Sequence, residues 1–185
     1  MKIILSVFLL WSSASVHGQI VNQEIVQPDG TPFLVGKITL DGLKKEPYGD
    51  WFTYNYDAYT VDGAMVTLFK EALHDHEITL FLGTWCGDSK REVPRFLKIL
   101  DTAHFPMNNL KIVALDRRKE HYKKSPTGEE KGWHIIKVPT IIFLRNGAET
   151  NRIVESPIES LEEDMATIFL RKGYIPNYAG SIKSN

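Results

Sequence analysis

Two short apolar runs, Ile78 to Leu82 and Leu110 to Leu115, carry almost no polar alternation, and the stretch between them has helical spacing in Val93, Phe96, Leu97 and Leu100. Strands of that kind are buried on both faces, and a helix linking two of them is the connection that a parallel pair requires. The rest of the chain is read around this unit. Phe33 to Leu40 alternates as a strand closed by Asp41-Gly42. Met65, Leu68, Phe69, Ala72 and Leu73 recur at helical spacing with Thr60 or Asp62 as N-cap. Thr140 to Leu144 and Ala148 to Val154 flank Asn146-Gly147, a strong signal for a two-residue hairpin turn. Pro157 is expected to open a last helix along Leu161, Met165, Ile168 and Phe169. The order predicts an α/β chain with a mixed central sheet and helices on both faces. A polar lead occupies residues 19–32, one domain runs over 33–172, and the tail 173–185 is expected to be loose.

The N-terminus has a basic residue, Lys2, then an apolar run from Ile3 to Trp11 and a small, polar stretch ending at Gly18. That is the order of a secretory signal peptide over residues 1–18. Export to a periplasm or the exterior, with no membrane span after cleavage, is the expectation. The charge balance of 22 Lys plus Arg against 23 Asp plus Glu leaves no electrostatic footprint for a nucleic-acid partner. The chain has a single cysteine, Cys86. In a disulfide-forming compartment, one leftover thiol is buried and inert, bonded to another chain, or reactive.

Cys86 lies at the turn from the apolar run Ile78 to Leu82 into the following helix, within Trp85-Cys86-Gly87-Asp88-Ser89-Lys90 and with Pro94 beyond. This turn resembles the thioredoxin pattern WCGPCK with its later proline, Asp88 and Ser89 standing where that family has proline and the second cysteine. Val138-Pro139-Thr140 resembles the family's cis-proline turn, and the Asn-Gly hairpin and closing helix follow in the family's order. The resemblance covers about Phe33 to Leu170 and implies a thioredoxin fold of the monothiol CxxS kind. It further implies that Cys86 is the attacking thiol and that Ser89 donates a hydrogen bond to it. Trp85, Gly87, Val138 and Pro139 would line the client groove, the Val138 backbone pairing with a client strand. Leu80 replaces the family's buried aspartate, and Glu155 replaces a groove glycine.

A cysteine in the first turn of a helix meets unpaired N–H groups and the positive end of the helix dipole, which favour thiolate over thiol. Without a second thiol, Cys86 would form mixed disulfides whose release needs an external reductant. Two functions are therefore carried forward. One is thiol-disulfide exchange with cysteine-containing client proteins or small thiols. The other is a redox-silent peptide-binding module, favoured by Ser89, Leu80 and Glu155. No cofactor or metal is expected. His74, Asp75, His76 and Glu77 read as a solvated helix end, and the basic run Arg117, Arg118, Lys119, Lys123 and Lys124 reads as a solvated loop with an outside claim on anionic clients. The aromatic stretch Tyr48, Trp51, Phe52, Tyr54, Tyr56 and Tyr59 reads as local core.

Overall fold

The computed structural model describes residues 20–182, so the expected signal peptide lies outside the described residues. The chain forms one six-stranded mixed sheet in the order β1-β2-β4-β3-β5-β6, made of β1 (Gln23–Val26), β2 (Pro32–Ile38), β3 (Glu77–Leu82), β4 (Leu110–Ala114), β5 (Thr140–Arg145) and β6 (Ala148–Val154). The two apolar runs are the parallel pair: Ile78 stands against Leu110 and Leu82 against Ala114. All other pairings are antiparallel. The Asn146-Gly147 turn joins β5 to β6 with both residues at positive φ, 53° and 74°, as a type I′ turn demands.

The lead 19–32 holds a strand the sequence reading did not see. Its turn is tied by Gly30 N–H to Gln27 O at 2.9 Å and Thr31 N–H to Asp29 Oδ1 at 2.9 Å. The strand Phe33 to Leu40 ends two residues early, because Thr39 instead caps α1 (Leu40–Lys44) by accepting from Gly42 N–H. The aromatic stretch becomes α2 (Gly49–Ala58), with Tyr48 and Phe52 buried and Tyr54 exposed. Asp62 is the cap of α3 (Gly63–His74). The helix after Cys86 is α4 (Gly87–Thr102). The closing helix, α5 (Leu161–Phe169), starts later than Pro157: Ser160 is its N-cap, accepting from Glu163 N–H at 3.1 Å.

Alternation along the strands sorts the core into two faces. Ile78, Leu80, Leu82, Ile112, Ile141 and Phe143 share one cluster with buried residues from α1 through α5. Phe81, Val113, Leu115, Val138, Ile142 and Leu144 form the other, joined by Trp85, Cys86, Trp133 and Ile135. The expectation of helices on both faces is thus met on one. The opposite face is covered by the segment 116–137, whose only regular piece among the described residues is a single 3-10 turn, Lys119–His121. Buried Arg152 holds that cover in place, its guanidinium bonded to Glu149 at 2.6 Å and to the Trp133 carbonyl at 2.8 Å.

The tail is also more ordered than expected. Tyr174 packs on the helical core and donates to Asp164 at 2.7 Å, Asn177 donates to Ser156 O at 3.0 Å, and α6 (Ala179–Ile182) follows.

Candidate functional site

The turn between β3 and α4 is fixed from several sides. Leu34 N–H of β2 donates to the Thr84 hydroxyl at 3.0 Å, and Cys86 N–H closes onto Gly83 O at 2.9 Å. Trp85 donates its indole N–H to Leu115 O at 2.8 Å, so its ring lies across the end of β4. Gly83 is required for that pose: a Cβ there would stand 2.6 Å from the Trp85 ring. Gly87, by contrast, is exposed with nothing within 4 Å of where a Cβ would stand.

Cys86 is the N-cap of α4, half-buried and unbonded to any other cysteine. Its Sγ donates to the Val138 carbonyl at 3.2 Å. The Val138-Pro139 peptide bond is cis, as the sequence reading expects. Cys86, Trp85 and Val138 therefore share one cluster across the turn, with Pro139 next in the chain. The Val138 N–H has no partner among the described residues.

Ser89 departs from its expected role. It is fully buried, and its hydroxyl accepts from Gly83 N–H at 3.2 Å; no hydrogen bond among the described residues joins it to Cys86. The side chain braces the turn from below. Leu80 lies on the helical face in apolar surroundings, facing Ile112 and Ile141 in register. Asp88 is paired with Arg91 at 3.0 Å, and Arg91 reaches the buried Glu92 at 2.5 Å.

Sequence reasoning missed a polar clamp beside Pro139. Glu155 has φ +67°, the left-handed region that favours glycine, and its N–H donates to Pro139 O at 2.7 Å. Its carboxylate takes Lys137 at 2.7 Å and a hydrogen bond from Tyr178 of the tail. Burial pushes this carboxyl up, but hydrogen bonds from Lys137 and Tyr178, with the charges of Lys137 and Lys123, hold it below the usual carboxylate value. Only the substitution at a glycine position signalled it in the sequence.

The basic run forms the other wall. Tyr122 leans on Trp85 with the rings tilted by 39° and their centres 5.7 Å apart, and Lys123 donates to Ile136 O. Burial, with the like charge of Lys137, holds the Lys123 ammonium below the ordinary lysine value; Glu155 and Cys86 act in the opposite sense.

Of the His74–Glu77 group, His74, Asp75 and Glu77 are exposed, as expected of a solvated helix end, and His76 is the exception. His76 is buried, bonded through Nδ1 to Ala72 O at 2.7 Å and set edge-on to Phe169; His74 bonds Ala103 O at 2.9 Å. A cavity of about 590 Å³ adjoins His76, Arg145 and Tyr174, at the opposite end of the strands from Cys86. Among the described residues, no group of His, Cys, Asp and Glu side chains is arranged to hold a metal ion, and no helix is long and apolar enough to cross a membrane.

In comparisons with protein-family profiles, curated proteins and solved structures, nothing matches the chain.

Proposed function

We propose that this chain is an exported thioredoxin-like protein of the monothiol kind, whose Cys86 forms mixed disulfides with cysteine-containing client proteins or small thiols. The observation that carries the reading is the half-buried thiol at the start of α4, set 3.2 Å from the carbonyl of Val138 across a cis Val138-Pro139 bond. The succession of β3, α4, β4, the proline turn, the β5–β6 hairpin and α5 supports the same family.

The Cys86 sulfur, as thiolate, attacks one sulfur of a client disulfide in line with its S–S bond. A Cys86–client disulfide forms, the client's own S–S bond breaks, and the leaving thiolate takes a proton from water. Ser89 offers no second thiol, so an external thiolate must attack the Cys86 sulfur: the Cys86–client bond breaks, the client leaves as its thiolate and a Cys86–reductant disulfide forms, which a second external thiolate opens, freeing Cys86 and carrying away the reductant's own disulfide. The unpartnered Val138 N–H is available to hold an extended client strand while this happens.

A second reading, a redox-silent peptide-binding module, is favoured by Ser89 serving Gly83 rather than Cys86. One experiment separates them. The purified protein is incubated with 2-hydroxyethyl disulfide, which is neutral and small, and the intact mass is followed with time. A mass gain that a reductant reverses and that is lost in Cys86→Ser supports exchange; no adduct after prolonged incubation leaves the binding module.

A further inference from the structure

The cavity of about 590 Å³ beside His76 is walled by four separate parts of the fold: the junction of α3 with β3, the turn end of the β5–β6 hairpin, the last turn of α5 and the start of the tail. Two hydrogen bonds fix the tail wall, Asn151 donating to Tyr174 O at 3.2 Å and Tyr174 to the buried Asp164 at 2.7 Å. The cavity lies at the opposite end of the strands from Cys86 and has no part in the thiol chemistry.

Its polar lining is unevenly matched. Two guanidiniums, Arg145 and Arg171, stand against a single carboxylate, Asp75. Asp75 holds one Arg145 nitrogen at 3.1 Å in a solvent-screened pair whose side chains are 44% and 62% exposed, so the rest of that fork is open to a ligand. The Arg171 side chain has no hydrogen bond or ion pair among the described residues. His76, 9% exposed, spends Nδ1 on Ala72 O at 2.7 Å, and its Nε2 has no partner among the described residues. Helix-end carbonyls do not balance these groups: Leu73 O takes the N–H groups of Asp75 and His76, while Thr167 O and Ile168 O take those of Lys172 and Arg171. The floor is apolar, formed by Ile168 and by Phe169, whose ring is held between Phe69 and Phe143.

Forked cations over an apolar floor suit a planar anionic group on a hydrocarbon body. We infer that this cavity binds a small organic acid, its carboxylate between Arg145 and Arg171 and against His76 Nε2, its apolar body over Ile168 and Phe169. The charged groups that act on the His76 ring are Arg145 at the end of β5, Asp75 after α3 and Arg171 after α5. Burial chiefly, then the two arginines, hold the ring below its ordinary value of 6.5, against the Ala72 bond and Asp75. A carboxylate brought against Nε2 favours the imidazolium, so binding takes up a proton and tightens as pH falls.

The test is an NMR titration of the isotope-labelled full chain with phenylacetate, its neutral amide phenylacetamide, and inorganic phosphate. Phenylacetate is expected to shift the resonances of His76, Arg145 and Arg171. It should bind at least about tenfold more tightly than phenylacetamide, which has no charge for the guanidiniums, and than phosphate, which has no body to cover Phe169. Arg171→Gln, at an exposed position, should weaken phenylacetate about tenfold. Affinity for the parent chain should rise about threefold from about pH 7.5 to about pH 6 and stay level in His76→Gln. Circular dichroism checks the folding of both variants; should His76→Gln not fold, Arg171→Gln and the parent's pH profile still decide. Cys86→Ser should bind phenylacetate as the parent does. Resonance changes away from the cavity, phenylacetamide or phosphate binding as tightly as phenylacetate, or an affinity indifferent to pH or to Arg171→Gln would overturn the assignment.

Discussion

Ser89 and Cys86 stand three residues apart in the sequence, yet they serve different parts of the turn. The Cys86 Sγ faces the Val138 carbonyl, whereas the buried Ser89 hydroxyl satisfies the Gly83 N–H. Removing that acceptor leaves a buried donor without a partner, a loss of about 1–3 kcal/mol. Ser89→Ala is therefore expected to lower stability in urea by that amount. The rate of Cys86 with 2-hydroxyethyl disulfide should change less than about threefold, because the hydroxyl does not touch the sulfur. A rate loss larger than that, with stability intact, would return Ser89 to the role the sequence suggested. That role was unreadable for a plain reason: a hydroxyl is small enough to turn to a backbone N–H, and residue type alone does not say which neighbour it chooses. Glu155 lends itself to a pH test. Its folded carboxyl titrates below the usual value, so its pairing stabilises above the unfolded carboxylate's value of about 4.3 and is lost as pH falls through the folded one. Glu155→Gln should lose that part of the acid sensitivity in melts between about pH 5 and pH 3, and an unchanged acid limb would show that Lys137 and Tyr178 contribute nothing there.

At the scale of elements, period and turn chemistry carried most of the sequence reading, and its misses have local causes. The capping signature Ser160-Leu161-Glu162-Glu163 was present, and Ser160 rather than Pro157 starts α5. Pro28-Asp29-Gly30 marked the β1–β2 turn, but a four-residue strand such as Gln23–Val26 is too short to show a period. The burial of His76, between α3 and β3, was missed for a different reason. His76 is buried because Phe169, far along the chain, closes over it, and no local pattern reports such a contact. Burial lowers the imidazole's pKa below its ordinary value of 6.5, the bond to Ala72 O opposing and the charge of Arg145 adding. A histidine held neutral in the folded state binds its proton more readily when unfolded, so stability falls as pH drops from about 6.5 through the folded value. His76→Gln keeps a donor for Ala72 O and has no proton to gain. Its unfolding free energy is expected to be flatter than the parent's between about pH 7 and pH 5; parallel profiles would show that His76 does not drive the slope.

For the whole molecule, the succession of elements from β2 to α5 and the apolar parallel pair were largely legible, the pair because burial on both faces leaves its mark in every residue of a strand. The cover of the second face was not, since the segment 116–137 is held by particular side chains, Arg152 on the Trp133 carbonyl and Lys123 on the Ile136 carbonyl, rather than by any period. The tail belongs to the same kind of structure. Beyond Gly173 the chain returns along β6 and α5, where Tyr174 packs on the helical core and donates to Asp164, itself 2% exposed. Asn151 donates to Tyr174 O at 3.2 Å, and Tyr178 completes the clamp on Glu155 beside Pro139. A loose tail would be dispensable, whereas this one covers a buried carboxylate and an aromatic seat. Ending the chain after Gly173 uncovers the Tyr174 site and strips Asp164 of one donor, leaving it the N–H groups of Ile158 and Glu159. The expected loss is roughly 2–5 kcal/mol, from an aromatic side chain's burial and a hydrogen bond to a charged group together. Urea unfolding of the shortened chain should still be one transition, since both core clusters lie within residues 34–169 apart from Tyr174. The Lys137–Glu155 pair should remain while losing its Tyr178 partner, so labelling of Cys86 by a neutral alkylating reagent would quicken if Tyr178 shields the groove. A shortened chain as stable as the parent, within about 0.5 kcal/mol, would show that the return along β6 is a surface contact with no part in holding the fold.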